Sequence, residues 1–131
     1  MLLRSAAGRN GFAGKKITGF GEVKPYSSAS GPPGGPFAPS SRIYAITNTG
    51  GSSVNWTASN TAPWVTLSSG GGTLGPGAST NLTVSINSTA NSLAANPAPY
   101  TDTVVVTNQS SGVGQNRAVS LSVLYNEITE V

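Results

Sequence analysis

The sequence contains no cysteine and no histidine. The first absence removes disulfides, thiol nucleophiles and thiolate zinc sites, and it leaves the redox compartment unspecified. The second removes the usual general base near neutral pH and the commonest metal ligand. Charge is also scarce, at 8% of the residues, and only four side chains are carboxylates: Glu22, Asp102, Glu127 and Glu130. A glycosidase needs two facing carboxylates, and one isolated acid in the body of the chain does not supply them. Gly70-Gly71-Gly72 lacks the following Lys and helix of a phosphate loop and reads as a turn. No catalytic, cofactor or metal residue is assigned, and the protein is expected not to be an enzyme. No apolar run approaches the roughly 20 residues of a membrane helix, so no membrane partner is expected. The opening residues, MLLRSAAGRNGFAGKK, lack the apolar core of a secretory signal, and with Met1 in place the expectation is a chain untrimmed by export.

What the chain does contain is period-two patterning between strong turns. Over residues 79–86, Thr80, Leu82, Val84 and Ile86 share one face while Ser79, Asn81, Thr83 and Ser85 share the other. Such alternation specifies a strand with one buried side. Gly75-Pro76-Gly77 ahead of it, and Asn48-Thr49-Gly50-Gly51 further back, punctuate the chain as turns. Strands are predicted over 42–48, 54–59, 64–68, 79–86, 101–108 and 115–125, an arrangement that suits an antiparallel sandwich. Trp56, mid-strand, is expected to plug the core with Leu82, Val84, Ile86 and Tyr100. Trp64 follows Pro63 and falls opposite Val65 and Leu67, which fits either a rim-packing residue or an exposed stacking platform. Trp64, Tyr44 and Tyr125 are the candidates for stacking on sugar rings, with ordinary sheet packing as the alternative for each tyrosine. In the last strand Arg117, Val119, Leu121 and Val123 alternate with Ala118, Ser120 and Ser122.

Residues 1–40 differ in character from the rest. They are Gly-, Ser- and Pro-rich, a composition that cannot bury enough surface to fold alone. Arg4, Arg9, Lys15, Lys16 and Lys24 against Glu22 leave this stretch at +4, and the remainder at −1, which reproduces the net +3. Phe12, Ile17, Phe20, Val23 and Phe37 are spaced apolar anchors separated by glycines. With Lys15 and Lys16 they predict an extended arm docked on a protein surface. Its cations give only a modest attraction to nucleic acid, which is disfavoured as a partner. Three regions result: an arm over 1–40, a sandwich over 41–125 and a short acidic tail over 126–131.

The order Asn48-Thr49-Gly50, Trp56, Pro63-Trp64-Val65-Thr66-Leu67-Ser68, Gly72-Thr73-Leu74, Pro76-Gly77 and the strand from Thr80 to Asn87 resembles the BACON-type immunoglobulin-like domain, and most closely its viral variant. Tyr100 and Arg117-Ala118-Val119-Ser120-Leu121-Ser122-Val123 extend the likeness, which covers about residues 40–124. The resemblance implies an all-β, immunoglobulin-like antiparallel β-sandwich, here preceded by the extended N-terminal arm. It also implies that Tyr100 acts as a corner residue, bonding back to the loop of residues 87–99; Leu93, an apolar residue in that polar connection, is read as its inward anchor. The family strand expected before Arg42 is missing: Pro32, Pro33, Pro36 and Pro39 stand in its place. Either that sheet edge is open or residues 17–23 fill it, from the same or another subunit. In function, the resemblance implies a structural protein of a tailed-phage virion, such as a capsid decoration or tail-associated protein. Its expected partners are the major capsid or tail protein and neighbouring copies. The alternative is a carbohydrate-binding module of an exported bacterial protein, extracellular or at the cell surface, with host-surface glycans as ligands.

Overall fold

The computed structural model describes residues 2–5 and 26–125. The strands are β1 (Leu2–Ser5), β2 (Tyr26–Gly31), β3 (Ser41–Thr47), β4 (Val54–Ser59), β5 (Val65–Leu67), β6 (Gly71–Leu74), β7 (Ser79–Ile86), β8 (Tyr100–Asn108) and β9 (Gly114–Val123), with one 3-10 turn at Ser88–Ser92. They form a sandwich of two sheets, ordered β1-β3-β7-β5 and β2-β9-β8-β4-β6. Every pairing is antiparallel except β2 with β9, which is parallel.

Alternation sets the inner faces. Val54, Trp56 and Ala58 from β4, Leu82 and Val84 from β7, Val104 and Val106 from β8, and Val119, Leu121 and Val123 from β9 are all buried. Ile86 and Tyr100 are half-buried and pack against this cluster. Burying a large aliphatic or aromatic side chain is worth about 1.5–3 kcal/mol, so this cluster drives the closure of the sheets.

The structure departs from the sequence expectations in four places. Phe37, assigned to the docking arm, is buried in the sandwich core at 7% exposure, and Ala29 is buried beside it. Residues 26–40 therefore belong to the sandwich, and the boundary at residue 40 is too late. The missing first strand exists as β2, which pairs with β9 from Tyr26↔Ala118 to Gly31↔Val123. It precedes the prolines, and those form the return to β3. Pro33 and Gly34 (φ 87) occupy the centre of a turn closed by the Gly35 N–H to Pro32 carbonyl bond of 2.8 Å, the arrangement of a type II turn. Ser30 and Ala38 then exchange two backbone bonds of 2.9 and 3.0 Å. The approach is close enough that a Cβ on Gly31 would overlap the Pro36 carbonyl oxygen, so only glycine fits there.

The third departure is Gly71-Gly72, expected in a turn but found in β6, paired with Thr57 and Trp56. A side chain on Gly71 would strike the Trp56 carbonyl, so the glycine lets β6 lie against β4. The fourth is Trp64, treated below. Residues 17–23, the rival occupant of the open edge, lie outside the described residues, as do Phe12, Lys15, Lys16, Phe20 and the acidic tail.

Candidate functional site

Between Ser28 and Tyr125 the sequence holds three charged side chains, Arg42, Asp102 and Arg117. Asp102 and Arg117 are buried, at 7% and 5% exposure. Between Ser28 and Tyr125 the outer surface is thus largely Ser, Thr, Asn and Gly, and the half-buried Arg42 is the one charged side chain there that is not buried.

Asp102 is a structural acceptor. Its Oδ1 accepts from the Thr61 backbone N–H (3.2 Å) and hydroxyl (2.9 Å), and its Oδ2 from the Asn60 side-chain amide (3.0 Å) and the Ala62 N–H (3.0 Å). Burial alone pushes the carboxyl up, but the bonds from Asn60, the Ala62 and Thr103 backbones and Thr61 outweigh it and hold the pKa below the ordinary aspartate value. Four of these bonds come from the loop between β4 and β5, so the carboxylate is committed to holding that loop. Sequence spacing gives no hint of this bracket, because its members are some forty residues apart. Asn48, read as a turn residue, is also fully buried. Its Nδ2 donates to the Ser52, Leu74 and Gly75 carbonyls (2.7, 3.0 and 3.0 Å), and its Oδ1 accepts from the Gly50 N–H (3.0 Å).

The aromatic candidates separate. Tyr44 is 1% exposed because it shares the inner parity of β3 with Ile46, so it offers no face to a sugar. Trp64 is 5% exposed and is likewise no platform. It precedes β5, so strand alternation does not bind it. The turn closed by the Val65 N–H on the Ala62 carbonyl (3.2 Å) lets both Trp64 and Val65 enter the core. Tyr125 alone of the three is exposed, at 77%, beside exposed Leu124. Tyr100 donates its hydroxyl to the Ala94 carbonyl at 2.8 Å, across the loop whose other inward residues are Ala90 and Leu93.

Arg42 and Tyr44 lie on the inner parity of β3. The Arg42 guanidinium carbon sits 5.9 Å from the centroid of the Tyr44 ring, a cation–π distance that orients the cation. Arg117 enters from the opposite sheet and donates to the Asn116 carbonyl at 2.7 Å. Burial lowers its pKa and Tyr44 acts in the opposite direction, yet a guanidinium stays protonated at any physiological pH.

Arg42 rims a cleft of about 180 Å³ between the sheets, with Ala29, Pro39, Val84, Ile86 and Val119 among its walls. A neighbouring hollow of about 200 Å³, lined by Phe37, Asn87 and Asn91, shares Ser40 and Ile86 with it. The two hollows adjoin at Ser40 and Ile86, just ahead of β3. Among the described residues no group of three or more acidic, His or Cys side chains is placed to hold a metal. No helix there is long and apolar enough to cross a membrane.

The profile of the viral BACON domain matches residues 40–126. The chain belongs to the viral BACON domain family. Membership indicates a viral protein. Among curated proteins, none matches the sequence. In fold, this viral BACON chain is similar to the periplasmic chaperone SfaE (TM-score 0.57, 11% identity), covering 79% of its own length and 57% of SfaE. It is also similar to PapD-like domain 7 of human CEP192 (TM-score 0.53, 12% identity, 90% of this chain and 100% of that one). The chain thus spans little more than half of SfaE, and at these identities the likeness shows an immunoglobulin-like sandwich and nothing of its activity.

Proposed function

We propose that this viral BACON protein is a structural component of a tailed-phage virion, a decoration or tail-associated protein that displays its sandwich on the particle. The observation that carries the reading is the viral family match over residues 40–126, from β3 to the end of β9. Two features support it. The polar groups with chemical potential, Asp102 and Asn48, are committed to holding loops. Between Ser28 and Tyr125 the exterior is nearly uncharged, which suits many sandwiches placed close together without mutual repulsion. Anchoring falls to the segment before β2, where Phe12, Ile17, Phe20 and Val23 supply apolar anchors and Lys15 and Lys16 supply steering charge; its partner is the major capsid or tail protein. Phe37 has no part in this anchoring because it is spent on the core. The glycan-binding alternative is weakened, since two of its three platforms are buried.

Quantitative mass spectrometry of purified particles tests the reading. The protein is expected at a copy number commensurate with a capsid or tail protein, and replacement of Phe12 and Phe20 by Ser is expected to strip it while the soluble variant still melts like wild type. Presence in infected-cell lysate with absence from particles would overturn it.

A further inference from the structure

Among the described residues one strand pairing is parallel, and it joins the first strand of the five-stranded sheet in chain order to the last. β2 and β9 run side by side in register from Tyr26↔Ala118 to Gly31↔Val123. The chain enters this ladder at Tyr26 and leaves it at Val123, so entry and exit lie at its opposite ends. Tension applied between the segment before β2 and the chain after β9 therefore slides the two strands past each other. In that direction the ladder bonds carry the load together, because the bonds of a parallel pair are evenly spaced along the strands. A load applied at the same end of both strands would instead break the bonds one after another.

Three features resist the sliding. The Leu124 N–H bonds the Gly31 carbonyl at 3.0 Å, and the Asn96 N–H bonds the Val123 carbonyl at 2.9 Å, which ties the exit of β9 to the loop ahead of β8. Ala29 faces the core from β2, among Val119, Leu121 and Val123 of β9, while Ser28 and Ser30 are exposed. A slip by one residue would set a serine in the place of Ala29, because strand side chains alternate. The chain leaving β2 is also held. Ser30 and Ala38 exchange two backbone bonds, and Phe37 is buried in the core. Drawing β2 back toward its start would pull Phe37 out. A load that enters through residues 6–25 reaches β2 without crossing the pairing of β1 with β3.

We infer that the β2–β9 pair is a tension-bearing clamp, and that the sandwich serves as a mechanical link that keeps its fold while force passes from the segment before β2 to the chain after β9. The inference rests on the strand order and register of the sandwich, so it stands whether or not the chain is mounted on a particle.

The test pulls single molecules of the full-length protein in optical tweezers. The chain has no cysteine, so paired substitutions give unique attachment points. Lys24→Cys with Tyr125→Cys loads the clamp along its strands. Lys24→Cys with Val113→Cys, at the exposed hairpin tip ahead of β9, loads it from one end. At equal pulling rate the first pair is expected to unfold at about twofold higher force or more, since the ladder shares the load in one direction and unzips in the other. Two further variants in the first geometry separate clamp strength from overall stability. The Gly31 carbonyl faces β9, and the same parity turns the Ser27 N–H toward it, so Ser27→Pro removes a rung and is expected to lower the unfolding force. Asn48→Ala frees the loop between β3 and β4 and is expected to lower the melting temperature with little change in force. The comparison of attachment points leaves the clamp unaltered and decides the inference even where Ser27→Pro does not fold. The inference is overturned if both geometries unfold at the same force, if the end-loaded one is stronger, or if Asn48→Ala lowers the force as much as Ser27→Pro does. Particle composition plays no part in these readouts, so the clamp and the virion reading fail separately.

Discussion

The two ends of β4 are closed by single buried polar residues, and the two closures work by opposite chemistry. At the start of β4, Asn48 is mainly a donor: its amide gives hydrogen bonds to three carbonyls and its oxygen receives one N–H. At the far end, Asp102 is purely an acceptor, receiving four donors from residues 60–62. Loops expose a surplus of either carbonyls or N–H groups, and the side chain that closes each is selected by that surplus. A neutral amide serves the carbonyl-rich end at any pH. A carboxylate serves the N–H-rich end only while it is ionised.

The largest expected effect removes what lies between the two ends. Trp56→Ala should cost about 3–5 kcal/mol in chemical denaturation, as for other buried aromatics, and should loosen both closures together. A wild-type midpoint would place Trp56 outside the core. Next comes Asn48→Asp, nearly isosteric, which sets a carboxylate against the Ser52, Leu74 and Gly75 carbonyls. A loss of about 3 kcal/mol or more is expected, smaller at low pH where the new acid protonates. The reverse exchange, Asp102→Asn, turns an amide NH₂ toward N–H donors and should cost about 1.5–3 kcal/mol.

Acid should separate the ends without mutation. The folded pKa of Asp102 is depressed, so its contribution is fully present above the unfolded aspartate value of about 3.9 and is lost as pH falls through the lower folded value. Melting scans from pH 6 down to pH 2 should show this loss in wild type and in an Asn48→Ala variant, but with reduced slope in Asp102→Asn. An unchanged slope in that variant would assign the acid lability to another group. The smallest effect is Tyr100→Phe, which removes the bond to the Ala94 carbonyl and should lower stability by about 1 kcal/mol, detectable as faster amide exchange in residues 93–99.

Which parts of the molecule were legible in the chain follows from how each is held. The strands at Val54–Ser59 and Ser79–Ile86 carry their own signal, because alternate side chains must face one core whatever the neighbours are. Trp56 could be placed for that reason. β2 could not: Tyr-Ser-Ser-Ala-Ser-Gly has no apolar period, and it is a strand because β9 offers a parallel edge from Ala118 to Val123. β6 is similar, since Gly71 and Gly72 have no strand propensity and are held by β4. Phe37 read as an anchor because a single aromatic among prolines looks the same whether it docks on another protein or folds back on its own.

The cleft at Arg42 was partly visible in the same way. The sequence shows a missing strand and hence an edge in question, but it does not say which residues border it. Arg42 and Tyr44 share a strand parity that could be read directly. Their position at the mouth of a cleft depends on Ala29 and Val119 arriving from the other sheet.

Composition, turn residues and the period of two determined by themselves an all-β domain without thiol or imidazole chemistry, and enough ordered motifs to resemble the viral BACON family. These are properties of single residues and of neighbours two apart, so they survive without knowledge of the fold. Tertiary structure decided that residues 26–40 join the sandwich, which aromatics are buried, which polar residues close the loops and where a cleft lies between the sheets. Each of those depends on contacts between segments tens of residues apart, and such contacts exist only once both sheets have formed.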